Sequence, residues 1–135
     1  MSAFSRWTLR IDGALLALSG SAAMLAETAG HFFGVGPLAA MRGSPYTIGG
    51  FEAHGLAVLI AVLLLRGAAQ ADRVPWHVVA LVTHLFLGSA NLLFWPTYAA
   101  LGLVAAGSVT TALHIAFVAA QAACWRLERQ PRSPS

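Results

Sequence analysis

The sequence predicts an all-α integral membrane protein, a four-helix bundle running up-down-up-down with both termini cytoplasmic. Three observations carry that expectation. Of the 135 residues, 58% are hydrophobic and only 10% are charged. The apolar residues gather into four blocks, each long enough to span a bilayer, and seven of the eight arginines fall on one side of the resulting topology. A soluble domain carries about a quarter of its residues as charges, and a disordered chain combines high charge with low hydrophobicity. Both classes are excluded, and four spans leave no room for a second folded domain within these 135 residues.

A spanning helix needs about 20 mostly apolar residues, and residues 11–33, 48–65, 76–95 and 97–125 meet that need. Residues 1–10 form an N-terminal tail. The first connection holds Gly34, Gly36, Pro37, Gly43 and Pro45 and reads as an irregular loop. The second runs from Arg66 to Pro75 with Arg66, Asp72 and Arg73, and its shortness implies a hairpin. Pro96 cannot continue the helix before it and marks a tight turn. Residues 126–135 are polar, contain Pro131 and Pro134, and read as a mobile tail.

There is no lysine, and the arginines lie at positions 6, 10, 42, 66, 73, 126, 129 and 132. With N-in, C-in topology only Arg42 is external, which the positive-inside rule favours. Such arginines set orientation and meet anionic lipid headgroups, so membrane lipids are expected partners and nucleic acid is not. Trp7, Trp76 and Trp125 fall at the inner boundary and Phe33, Tyr46, Trp95 and Tyr98 at the outer one, as aromatic belts do. Arg6 and Arg10 followed by 14–26 also resemble a secretory signal with small residues at 20–23. The apolar run continues to Phe33, however, so the segment is expected to stay as a span. Cys124 has no disulfide partner in the chain and is expected to pack.

Ionisable groups in hydrocarbon cost at least ~2.5 kcal/mol each, so they are rare and usually functional. Here the first span has Glu27 and His31, the second Glu52 and His54, the third His77, His84 and Asn91, and the fourth His114 and Gln121. His77, His84 and Asn91 recur every seven residues and share a stripe, as do Gly107, His114 and Gln121. Glu27 and His31, four apart, share a face, whereas Glu52 and His54 point apart. At about 1.5 Å per residue, Glu27, Glu52 and Asn91 lie roughly 20 Å above the inner boundary. His54, His84 and His114 lie at roughly 12 to 18 Å. These levels predict one buried polar pocket opening toward the outer face.

Plainer roles compete at several positions. His31 and His77 sit near boundaries and read as interfacial residues. Glu52 opens the second span, where a carboxylate complements the helix dipole. Asn91, Thr110 and Thr111 can join helices by hydrogen bonds, and Gly102, Ala106 and Thr110 or Gly107 and Thr111 allow close packing. Glu27, His54, His84 and His114 together are hardest to explain as packing.

Three functions suit such a pocket. In the leading one it binds or transforms a small apolar molecule such as a quinone, terpenoid or lipid. Glu27 acts as acid, His84 or His114 as base, and His54, His84, His114 and Asn91 contact the ligand. In the second, His84 and His114 ligate haem, or the histidines with Glu27 or Glu52 bind a transition metal, although no close-spaced ligand motif such as HExxH is present. In the third, the protein relays protons or supports a larger membrane complex or homo-oligomer.

The four-helix layout, its short loops, the segment Ala26-Glu27-Thr28-Ala29-Gly30-His31-Phe32 and the segment Gly50-Phe51-Glu52-Ala53-His54-Gly55-Leu56 resemble small bacterial membrane proteins of the DoxX-like kind. The resemblance implies a bacterial cytoplasmic (inner) membrane, multi-pass insertion and an association with quinone or redox chemistry. It transfers no catalytic residue, and the number of buried histidines departs from it.

Overall fold

The computed structural model describes residues 3–130, and among them every regular element is helical. Helix α1 spans Ala3–Thr28 and continues as a π-helix over Ala29–Phe33. A short 3-10 turn, Ala39–Met41, interrupts the following loop. Helices α2 (Thr47–Gly67), α3 (Val74–Leu93), α4 (Trp95–Ala100) and α5 (Val104–Arg129) complete the order. Among the described residues, α1 with its extension, α2, α3 and α5 are long and apolar enough to cross a membrane.

Three boundaries differ from expectation, each for a local reason. The N-terminal tail expected over 1–10 is helical from Ala3 onward. No glycine or proline interrupts residues 3–12, and the Thr8 hydroxyl donates back to the Phe4 carbonyl at 3.0 Å. Residues 1 and 2 lie outside the described residues. The segment expected as 97–125 is divided, because Pro96 starts the separate helix α4 and Gly102, at φ +69°, ends it before α5 begins. The tail expected over 126–135 is helical as far as Arg129, and Glu128 accepts a hydrogen bond from Arg73 Nη2 at 3.2 Å. The mobility expected from Pro131 and Pro134 falls outside the described residues.

The helices pack most closely as two pairs, α1 with α2 and α3 with α5. Gly20 shows why the first pair is tight. A Cβ there would stand 2.9 Å from the His54 carbonyl oxygen and 2.9 Å from Val58 Cγ2, so only glycine lets the backbones approach. An apolar cluster of Leu9, Leu16, Ala57, Ala61, Leu64 and Ala80 joins the pairs, with Trp76 and Leu87 against it. It lies toward the end of the bundle that carries Arg73 and Arg66, called here the arginine end; the other is the loop end.

The surface is more apolar than the interior. Leu18, Leu25, Phe86 and Leu93 are 71 to 76% exposed, while Asp12, His77 and Gln121 are fully buried. A water-soluble fold distributes these residues the other way, and lipid tolerates exposed leucine but not unpaired polar groups.

Gly20→Leu is expected to force α1 and α2 apart and to cost about 1–3 kcal/mol. Gly49→Ala, where nothing lies within 4 Å of the added Cβ, should be neutral or slightly stabilising. Thermal unfolding of both variants in detergent checks this, and equal melting temperatures would refute the close-approach argument.

Candidate functional site

A continuous line of buried polar side chains starts at the arginine end. Arg73, 3% exposed, donates from Nη2 to Glu128 and from Nε to Ser5 Oγ at 3.1 Å. Ser5 Oγ lies 2.7 Å from His77 Nε2, and His77 Nδ1 meets Gln121 Oε1 at 2.5 Å. Gln121 Nε2 donates to Asp12 Oδ2. Asp12 Oδ1 lies 2.8 Å from His84 Nε2, and His84 Nδ1 lies 2.8 Å from His114 Nδ1.

Donor and acceptor chemistry fixes most of the protons in this line. Gln121 donates its amide N–H to Asp12 and so turns its carbonyl, which only accepts, to His77. His77 therefore carries its proton on Nδ1 and sets Nε2 against the Ser5 hydroxyl, which also bonds to Glu128. On the other side His84 donates from Nε2 to Asp12. Neutral His84 then accepts at Nδ1 from His114; protonated His84 donates there instead. Asp12, His84 and His114 thus form a relay with two proton arrangements, whereas the Gln121 amide does not give up its hydrogens and closes the line toward Ser5.

His114 and His84 form part of the wall of a central cavity of about 250 Å³. Its polar lining also includes Ser19, His54, Asn91, Tyr98 and Thr110, and its apolar lining includes Leu15, Leu87, Leu113 and Phe117. Phe117 stacks on the His84 ring at 4.9 Å with 14° between planes, which holds the imidazole in its orientation. Tyr98 donates to Asn91 Oδ1 at 2.8 Å, and Asn91 Nδ2 donates to Thr110 Oγ1 at 3.2 Å.

The fourth acid–base residue, Glu27, stands one step away. Its Oε1 lies 3.0 Å from His54 Nδ1, and Glu27 is only 6% exposed. Gly50 makes room for it, since a Cβ at that position would fall on the carboxylate. Glu27 lines a second cavity at the loop end, of about 590 Å³, together with Thr28, His31, Phe32, Thr47 and Phe51.

The structure therefore brings His54, His84, Asn91 and His114 to one cavity and sets Glu27 behind His54. Several neighbouring readings need correction. His77 is fully buried between Ser5 and Gln121 inside the bundle, not at its surface, because both ring nitrogens meet partners on α1 and α5. Tyr98 turns inward to Asn91 rather than joining an aromatic belt. Glu52 is exposed and lies beyond the first turn of α2, which starts at Thr47, so it neither caps the helix nor lines either cavity.

Sequence reasoning misses Asp12, the acceptor at the centre of the line, because it falls at the second residue of the span expected over 11–33. Its signal lay in spacing: Leu9, Asp12, Leu16 and Gly20 form one stripe at intervals of three and four, and all are buried.

Paired axial ligation of haem by the facing nitrogens of His84 and His114 does not fit this arrangement. A bis-imidazole iron needs each coordinating nitrogen about 2 Å from the metal, but the facing Nδ1 atoms of His84 and His114 are hydrogen-bonded at 2.8 Å. Both nitrogens of His84 are in use. Among the described residues, no group of three His, Cys, Asp or Glu side chains could hold a metal ion.

No protein-family model, curated protein or solved structure matches the chain.

Removing one member of the relay should be costly and removing two less so. Asp12→Leu is expected to destabilise by about 3–5 kcal/mol, because it strands the His84 and Gln121 donors. Asp12→Leu with His84→Phe should recover part of that loss, since apolar replacement of both partners approaches neutrality. A double-mutant cycle on denaturant unfolding reads the coupling; strict additivity would mean the pair is not coupled.

Proposed function

We propose that this is a multi-pass protein of the bacterial cytoplasmic membrane, with the arginine end facing the cytoplasm. Its central cavity binds a small, mostly apolar molecule and exchanges a proton with it. The single observation that carries the reading is the geometry of His84, with Asp12 on one nitrogen, His114 on the other, and all of it beside a cavity.

His114 is the residue that meets the ligand. In the neutral arrangement its Nδ1–H points to His84, so Nε2 offers a lone pair. When Nε2 takes a proton from the ligand, the Nδ1 proton moves to His84, and the imidazolium is held by the Asp12 carboxylate. Running backwards, the same relay makes His114 an acid. A positioned imidazole of this kind typically contributes ~10²–10⁴-fold to a proton-transfer step. Asn91, with Tyr98 behind it, supplies a second polar contact, and Glu27 acts through His54.

Cavity size narrows the ligand class. About 250 Å³ lies just below the usual range of small-molecule sites, which suits a single ring or short isoprenoid unit rather than a whole lipid. His114 and Asn91, as two polar contacts in the lining, suit a molecule with two oxygens, and the DoxX-like layout makes a quinone the first ligand to test. Arginine placement and the cation–π pairs Arg10–Trp7 and Arg129–Trp125 at the arginine end support the proposed orientation. Retention of the first span is supported by the buried roles of Ser5 and Asp12, which cleavage near residue 20 would remove.

Duroquinone and its quinol are the probes. In phosphatidylcholine nanodiscs, wild-type protein should bind at least one of them saturably above partition into empty discs. His114→Leu and His84→Leu should weaken binding by about tenfold or more, the scale of one lost buried hydrogen bond to a charged or polar partner. Phe86→Ala, on the lipid-facing surface, should not. Binding no greater than in empty discs would overturn the quinone assignment; loss in Phe86→Ala alone would overturn the site.

A further inference from the structure

The loop-end cavity has a chemistry of its own. Among the described residues, four buried side-chain atoms lack a hydrogen-bond partner, and three of them belong to residues lining this one cavity: Glu27 Oε2, His31 Nδ1 and Thr47 Oγ1. Buried polar atoms are nearly always partnered, and leaving each one bare costs about 1–3 kcal/mol. Three such atoms lie just behind the wall of one cavity, where a ligand group pressed into that wall would satisfy them.

The geometry around them is held firmly. Glu27 Oε1 is taken by His54, so Oε2 is the carboxylate oxygen left over. The π-helical turn widens α1 at Ala29–Phe33, and the Gly43 amide pins the His31 carbonyl at 3.1 Å. Such π-turns occur often at functional sites. Thr47 opens α2 and is 7% exposed.

We infer that this cavity binds a primary ammonium group carried on an apolar body. A carboxylate oxygen accepts only, an imidazole nitrogen accepts when its partner nitrogen holds the proton, and a threonine hydroxyl oxygen accepts readily. Three acceptors and one negative charge match the three N–H donors and single positive charge of R–NH₃⁺. An alcohol or phenol brings one donor and leaves two of the three atoms bare. A quaternary ammonium brings none. Phe32 and Phe51 supply aromatic faces that attract a cation, and Pro45 and Ile48 give the apolar wall for the body. The ammonium has two sources, an aminophospholipid headgroup or a free alkylamine. The inference shares Glu27 with the central cavity through His54 but does not rest on that cavity's ligand, whose test uses quinone probes.

The test compares decylamine, decanol and decyltrimethylammonium by calorimetry on the full chain in phosphatidylcholine nanodiscs, corrected with empty discs. Decylamine should bind saturably, at least tenfold tighter than either comparator. Glu27→Gln should weaken it tenfold or more, and Thr47→Val, which leaves the Glu27–His54 pair intact, about threefold; circular dichroism confirms that each variant is folded. In mixed discs, native mass spectrometry separates the sources. Phosphatidylethanolamine retained by wild type and lost in Glu27→Gln assigns the lipid headgroup; decylamine binding without lipid retention assigns the free amine. Equal binding of decylamine and decyltrimethylammonium, or wild-type affinity in both variants, overturns the proposal.

Discussion

Asp12 is a carboxylate with no access to solvent, and the rest of the bundle is arranged around keeping it satisfied. Burying a lone charge in a low-dielectric medium costs several kcal/mol even after relaxation. The cost is offset here by a histidine on one oxygen and an amide on the other. Those two donors come from different helices, α3 and α5, so satisfying the carboxylate sets the register of α1 against both. A shift of one residue in any of the three helices would take a donor out of reach. Because lipid gives helices little hydrophobic reason to associate, polar links of this kind carry much of the specificity of assembly.

The links differ between the two ends. Toward the arginine end, Ser5, Thr8 and Asp12 of α1 bond to His77 and His84 of α3 and to Gln121 and Cys124 of α5. Further along α1, residues 15–23 face the central cavity instead. The two helix pairs are therefore joined at one end and separated by a pocket beyond it. The relay sits at the boundary between these regions, with its anchor in the joined part and His114 at the pocket.

Much of this was legible in the sequence, and the parts that were not have a common cause. The need for about 20 apolar residues per span makes the four long helices readable, and the seven-residue recurrence of His77, His84 and Asn91 correctly groups them on one face of α3. Depth was harder. Placing the first span at residue 11 leaves Asp12 at its start, while the helix begins at Ala3 and Asp12 is fully buried within the bundle. The same error hides Arg73 and Glu128, which look like loop and tail charges until they are seen to pair across 55 residues. Pairings at that separation depend on which helices touch, and local spacing carries no record of it. Between Glu52 and His54, two apart on α2, spacing shows that one faces in but not which; Glu27 across the interface decides it for His54.

His54 then connects the two cavities physically. When Glu27 is ionised it only accepts, so Nδ1 of His54 then carries a proton and Nε2 is the ring atom left for the central cavity that His54 lines. The tautomer of a residue in one pocket is thus set by a carboxylate in the other. A cation beside Glu27 Oε2 would draw on the same negative charge and weaken its hold on the imidazole, loosening a polar group in the central wall. Coupling of this kind needs no movement of a helix. It requires only that one carboxylate be shared, and Gly50, by admitting that carboxylate against α2, is what allows the sharing.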